Sequence, residues 1–346
     1  MLPYIDLRSD TVTHPTNEMR QAMANAVVGD DMMQEDPTVN ELQKLSAEML
    51  GKEDALFVPS GVFGNQLALF THCNRGDEVV ISNDSHPVQH EAGAPAIIAG
   101  VNMRIVTTEK QWFSWDEITQ FIRFEEDLHF PKTSLIWVQN SLGNGDVWPL
   151  DEMRKIYENA QKFGFSVHLD GARIFNAATY LNVEAKEIAK YSDSVMFCLS
   201  KGLAAPIGSM LVGTKEFIAK ARYKRKIMGG AMRQVGVLAA PGLISLQEMT
   251  KRLHKDHENA SKLAEAFAKY DDVFDVNIEK VKTNMFFLKL KIGERTDFLK
   301  ILGSHGILTY PKELGWYRFV THKDITDENV NFIISKLPDI VEKLKR

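Results

Sequence analysis

Apolar positions along this chain fall into two kinds of segment that alternate. Short runs are apolar almost throughout: Ala55–Pro59 (ALFVP), Glu78–Ser82 (EVVIS), Met103–Val106, Ser134–Gln139 (SLIWVQ), Ser166–Leu169 (SVHL), Ser194–Leu199 (SVMFCL) and Gly208–Val212 (GSMLV). Such runs predict strands covered on both faces, because a half-exposed strand alternates polar and apolar residues. Between them lie stretches with helical spacing: one opened by Ser60-Gly61 that includes Asn65–His72, one over Leu150–Phe163 with Asp151 near its start, and one over Glu184–Lys190. Strand and helix in alternation predict an α/β protein with a largely parallel sheet.

The pattern changes after about residue 240. Leu246–Tyr270 predicts one long amphipathic helix. Strands are expected over Phe286–Leu290 and Tyr317–Val320, separated by a helix Asp297–Gly303, and a helix Asp327–Leu344 follows. The expected division is a large domain over residues 1–245 and a small α+β domain over 246–346.

Composition narrows the class. With 346 residues, 44% hydrophobic and 25% charged, the chain has ordinary soluble globular content and can bury a sizeable core without cross-links. A formal net charge of −5 argues against a nucleic-acid binder. The basic run from Lys220 to Lys226 reads as a solvated helix face. Two distant cysteines, Cys73 and Cys198, make neither a disulfide framework nor a metal-ligand pattern, so a reducing cytoplasm fits. The opening MLPYIDLRSD lacks an apolar leader core, and no stretch has the length of a membrane span.

The chemistry concentrates in two strand ends. Val167 to Arg173 (VHLDGAR) ends a strand in Asp170, and Ser194 to Gly202 (SVMFCLSKG) ends another in Ser200-Lys201-Gly202. Ligands of open α/β sheets sit at the carboxyl ends of strands. The 31 residues between Asp170 and Lys201 leave room for one helical crossover between neighbouring strands. Pyridoxal phosphate (PLP) needs this pair: a lysine binds its aldehyde covalently, and a carboxylate holds the proton on its pyridine nitrogen. Either residue alone has an ordinary explanation, a helix cap for the aspartate and a turn for the lysine. Ser60-Gly61-Val62 follows a strand and opens a helix, where backbone N–H groups can hold a phosphate. Gly229 to Gln234 (GGAMRQ) either adds a cation or nest there, or joins two helices.

At these residues the chain resembles the low-specificity L-threonine aldolases, PLP enzymes of fold type I. The ordered matches are Ile5 to Thr13 (IDLRSDTVT), Gly29-Asp30-Asp31, Asp36 to Val39, His86 with Glu91-Ala92-Gly93, His168–Ala177 (HLDGARIFNA), Leu199–Leu203 (LSKGL), Gly229–Gln234 and Arg318–His322 (RFVTH). The resemblance implies a mainly parallel seven-stranded sheet, a homotetramer with active sites at dimer interfaces, and an amino-acid substrate. It makes Lys201 the cofactor lysine, Asp170 the partner of the ring nitrogen, and His86 the residue stacked on the ring near the reacting substrate. Ser60, Gly61, Val62, Arg173, Ser200 and Arg233 fall at cofactor-binding positions, Arg233 in its own or a neighbouring subunit's site. Ser9, Arg173 and Arg318 would hold the substrate carboxylate, a task suited to a guanidinium fork.

Two departures stand out. Relatives often carry Glu-Asn-Thr-His-Asn-Gly where this chain reads Gln139-Asn140-Ser141-Leu142-Gly143-Asn144-Gly145, without the acid or the histidine. Val62 stands where a threonine hydroxyl often meets the phosphate. His90, four residues beyond His86, shares a possible helical face with it, yet no further ligand is readable and no metal is expected. His129, His168, His254, His257 and His322 read as packing or surface residues, with His168 beneath the site. The expected reaction is retro-aldol cleavage of L-threonine or L-allo-threonine, with His86 as base and His90 behind it. The alternatives are β-elimination on the same scaffold and PLP binding without turnover; a nucleotide-binding domain would leave Lys201 and Asp170 unused.

Overall fold

All seven apolar runs become strands of one sheet. The computed structural model describes residues 4–292 and 298–346. Its strands, in chain order, are β1 (Ile5–Asp6), β2 (Asp54–Val58), β3 (Glu78–Ser82), β4 (Asn102–Val106), β5 (Thr133–Gln139), β6 (Ser166–Asp170), β7 (Ser194–Cys198), β8 (Ser209–Gly213), β9 (Phe274–Val276), β10 (Met285–Leu290), β11 (Ile307–Leu308) and β12 (Tyr317–Val320). The large sheet runs β2-β8-β7-β6-β5-β3-β4. Only β8 is antiparallel to its neighbours, so β2, β3, β4, β5, β6 and β7 all point the same way. Every residue of β3, β7 and β8 is buried, in keeping with the apolar centres of these strands.

Helices cover both faces, and their ends carry local signals. Pro37–Leu50 starts at Asp36, whose carboxylate accepts the Val39 N–H, and stops at Gly51 with φ 61°. Gly61–His72 starts at Ser60, whose hydroxyl accepts the Phe63 N–H at 3.2 Å. Leu150–Phe163 matches its expected span and ends at Gly164, φ 74°.

A second hydrophobic cluster gathers side chains from Ala260 to Leu344 with Ile5 and Leu7. It lies on the sheet β12-β10-β9 and the pair β1–β11, which ties the N-terminal segment to this layer. The expected single helix over Leu246–Tyr270 is broken. The helix Gly236–Gln247 ends, a 3-10 turn covers Met249–Arg252, and a second helix runs Leu253–Ala268. Met249 and Leu253 pack in the first core, whereas Leu263 and Phe267 pack in the second. The turn redirects the chain between cores, and a repeat of three to four residues does not distinguish it from α-helix. The expected helix Asp297–Gly303 is seen as Phe298–Ser304, with Asp297 outside the described residues.

The basic run lies in helix Lys215–Ile227 and is not all solvated. Lys220 pairs with Glu216 at the surface, but Arg225 is buried, donating to Asp31 at 2.6 Å and to the Phe57 carbonyl at 2.8 Å. Cys73 and Cys198 are free and buried. Among the described residues no helix is long and apolar enough to cross a membrane.

Candidate active site

Five segments converge because the strands before them are parallel: Ser60-Gly61 after β2, His86 after β3, Gln139 ending β5, Asp170 ending β6, and Lys201 after β7. This is the carboxyl edge of the sheet, where open α/β folds hold their ligands. β6 and β7 are adjacent, with Asp170 in register with Met196, so one crossover does separate Asp170 from Lys201.

Asp170 is buried, with no ion-paired cation among the described residues. Its Oδ2 accepts from the Asn65 side-chain amide at 2.9 Å and its Oδ1 from the Ala172 N–H at 3.0 Å. Among the described residues no lysine or arginine pairs with it. A buried carboxylate met only by neutral donors is costly and favours a cationic N–H beside it.

The same amide of Asn65 donates to Glu91 Oε1 at 2.8 Å. Glu91 is buried and also accepts from Gln66 Nε2 at 2.5 Å and pairs with His86 Nδ1 at 2.8 Å. His86 is further held by its backbone N–H, which donates to Gln139 Oε1 at 3.2 Å. Its ring lies 5.4 Å from that of His90, which is exposed. Among the described residues no three His, Cys, Asp or Glu side chains group as metal ligands.

Arg173 and Arg318 come together from different layers. Arg173 is locked by Asp10, donating Nε to Oδ2 at 2.7 Å and Nη2 to Oδ1 at 2.6 Å, while Asn284 Nδ2 approaches the same carboxylate at 3.3 Å. Burial alone raises the Asp10 carboxyl, but Arg173 outweighs it and holds the group far below the usual carboxylate range. Burial lowers the Arg318 guanidinium and Arg173 pushes the same way. Among the described residues the Arg318 guanidinium has no hydrogen-bonded or ion-paired partner, which leaves its fork available to a carboxylate. Ser9, buried, accepts the Thr11 N–H at 3.2 Å beside them. Thr13 shares its hydroxyl between the carbonyls of Asp10 and Lys201, at 2.9 and 3.0 Å.

The helix opening at Gly61 sits close on the sheet. A Cβ on Gly61 would lie 2.9 Å from Cys198 Sγ, and one on Gly64 would lie 2.6 Å from Met196 Cγ. Val62 is exposed and Ser200 and Lys201 are half-buried. Arg233 does not join the cluster. Its side chain is 66% exposed and pairs with Asp30 at 2.7 Å, although a Cβ on neighbouring Gly230 would strike the Phe63 ring in the Gly61 helix.

His168 packs beneath Asp170 on the same sheet face, its ring 4.5 Å from Trp137. Ser194 Oγ lies 2.7 Å from both His168 Nδ1 and His72 Nε2. Burial lowers both histidines, His72 to about 3, so both rings are neutral near pH 7. The segment after β5 is used structurally: Asn140 bonds both the N–H and the carbonyl of Trp148, while Thr283 and Lys282 clasp Gly145 and Asp146. Asp10, Asn65 and Glu91 are site residues to which sequence reasoning gave no role. Asp10 and Glu91 lie within the motifs that carry the family resemblance, their only signal in the sequence.

Comparison with known proteins agrees with this geometry. The β-eliminating lyase family matches residues 6–291. Low-specificity L-threonine aldolase 1 of Arabidopsis thaliana is 41% identical over 339 residues, spanning 96% of this chain and 94% of its own. The low specificity L-threonine aldolase of Escherichia coli strain K12 is 37% identical, spanning 94% and 96%. The threonine aldolase structure from Leishmania major superimposes with a TM-score of 0.84 over 98% of this chain and all of its own, at 17% identity, a likeness of fold. The chain belongs to the β-eliminating lyase family and groups within it with the low-specificity L-threonine aldolases.

Proposed function

We propose that this protein is a PLP-dependent lyase that cleaves L-threonine, L-allo-threonine or a related β-hydroxy amino acid between Cα and Cβ, releasing glycine and an aldehyde. The observation that carries this reading is the buried Asp170 carboxylate, hydrogen-bonded only by neutral donors among the described residues, at the end of the strand adjoining the one that leads to Lys201. The residues present fit the cofactor: Lys201 for its aldehyde, Asp170 for the ring N–H, Ser200 and the Ser60-Gly61-Val62 helix opening for its phosphate. Val62 contributes its backbone N–H there, since it has no hydroxyl. When bound, PLP accepts the electron pair of the bond broken at Cα.

The chain's own residues do the rest. Arg318 binds the substrate carboxylate with Ser9 and with the N–H groups of Arg173 that Asp10 leaves free. That clamp would fix the orientation of Cα. With the cofactor bound, His86 would lie against its ring and would take the β-hydroxyl proton as the O–Cβ bond becomes a carbonyl; a proton then returns to Cα to complete glycine. Exposed His90 is the reserve candidate for the base. β-Elimination stays as a second reading because Gln139–Gly145 supplies no second imidazole.

Around this site we read two domains, 1–245 and 246–346, with Arg318 and Asn284 reaching in from the second. A homotetramer belongs to the same reading. Exposed Val28, Met33, Ile227 and Val237 flank Asp30 and Arg233 in sequence, a region that a partner copy would cover so that Arg233 reaches the partner's phosphate. Two free cysteines are in keeping with a cytoplasmic setting.

Borohydride reduction of the yellow holoenzyme followed by peptide mass mapping tests the assignment. The adduct is expected on Lys201, and Lys201→Ala should abolish cleavage. An adduct on another lysine contradicts it.

A further inference from the structure

Glu91 is a fully buried carboxylate that has no lysine or arginine beside it among the described residues. Among the described residues, its only ionisable hydrogen-bond partner is His86. It follows β3 on a turn in which Ala92 and Gly93 both take left-handed backbone angles, φ 52° and 74°, closed by the Ala94 N–H on the Glu91 carbonyl at 2.9 Å. Left-handed alanine is unfavourable, and such conformations persist where the surroundings enforce them. Here the turn aims the carboxylate inward, onto Asn65, Gln66 and His86.

We infer that Glu91 is a positioning residue that fixes the tautomer of His86, an inference resting on the lyase reading above. A carboxylate oxygen only accepts, so the 2.8 Å contact puts a proton on His86 Nδ1. In the neutral ring Nε2 then carries the lone pair, the state a base for the β-hydroxyl needs. Without Glu91 the proton can move to Nε2, which becomes a donor and cannot accept. Asn65 extends the arrangement: its amide bonds both Glu91 and Asp170, so the group that orients the base and the group that holds the ring nitrogen share one support.

The test reads ring nitrogens and turnover together. Full-length protein carrying ¹⁵N-labelled histidine, without and with PLP, should give a His86 spectrum of the Nδ1–H tautomer, assigned by its loss in His86→Phe. Glu91→Leu fills the space without an acceptor. It should shift His86 toward Nε2–H and lower kcat by about 10² or more, with KM within about threefold, as when the orienting partner of a histidine base is lost. Glu91→Gln keeps an oxygen toward His86, because Asn65 needs an acceptor there and Gln66 Oε1, unpaired in the structure, can turn to receive the amide. It should restore the Nδ1–H signature and most of kcat. An Nε2–H ring in the wild-type protein, or a kcat loss in both variants with no tautomer change, overturns the inference. The wild-type spectrum decides even if Glu91→Leu fails to fold. Absence of cleavage by the wild-type enzyme would defeat the lyase reading instead, leaving the tautomer assignment intact.

Discussion

Arg173 and Asp10 meet through two parallel hydrogen bonds of 2.7 and 2.6 Å, with the carboxylate fully buried and the guanidinium 12% exposed. Asp10→Asn should cost about 3 kcal/mol of stability, because it strands a buried guanidinium. The Asp10 carboxyl is depressed on folding, so its contribution is complete above the unfolded carboxylate value, near about 4, and is lost as pH falls through its much lower folded value. Urea midpoints of wild type and Asp10→Asn should therefore stand apart at pH 7 and begin to approach one another only as pH falls below about 4. Parallel midpoints at every pH contradict the pairing.

Asp170 and Lys201 could be read from the sequence because each follows an apolar run, and strand ends of open sheets meet ligands. The neighbouring polar groups could not. Asp10 finds Arg173 across 163 residues and Asn65 finds Asp170 across 105, and nothing local marks any of these polar residues as buried. The break at Met249–Arg252 escaped for a different reason, since 3-10 and α segments present nearly the same spacing. β1 and β11 are two residues each, too short for any periodicity to show.

Gly64→Ala weighs two effects of opposite sign. Alanine gains up to about 1 kcal/mol of helix propensity. Its Cβ would stand 2.6 Å from Met196 Cγ and 3.3 Å from Val58 Cγ2, inside the packed sheet. Overpacking of this kind costs about 1–3 kcal/mol and should prevail. Thermal denaturation should show a lower Tm; a rise would mean the helix can lift off β7 freely.

Arg318→Lys keeps the charge and loses the fork. One ammonium cannot make two coplanar bonds to a carboxylate, so KM for L-threonine should rise about tenfold or more, with a smaller change in kcat. Steady-state kinetics settle it, and an unchanged KM removes Arg318 from the clamp.

His86→Phe preserves an aromatic ring and removes the proton acceptor. The variant should bind PLP with near-normal absorbance while cleavage falls about 10²-fold, the usual scale for losing a general base. Exchange of the glycine α-proton needs no β-hydroxyl chemistry and should fall much less. Wild-type cleavage in this variant places the base elsewhere, with His90 next.

The products formed from L-threonine by the purified holoenzyme bear most directly on the central claim. Cleavage between Cα and Cβ predicts glycine and acetaldehyde in equal amounts. Loss of the β-hydroxyl would instead give 2-oxobutanoate and ammonia, and finding those as the principal products would contradict the aldolase reading in favour of elimination.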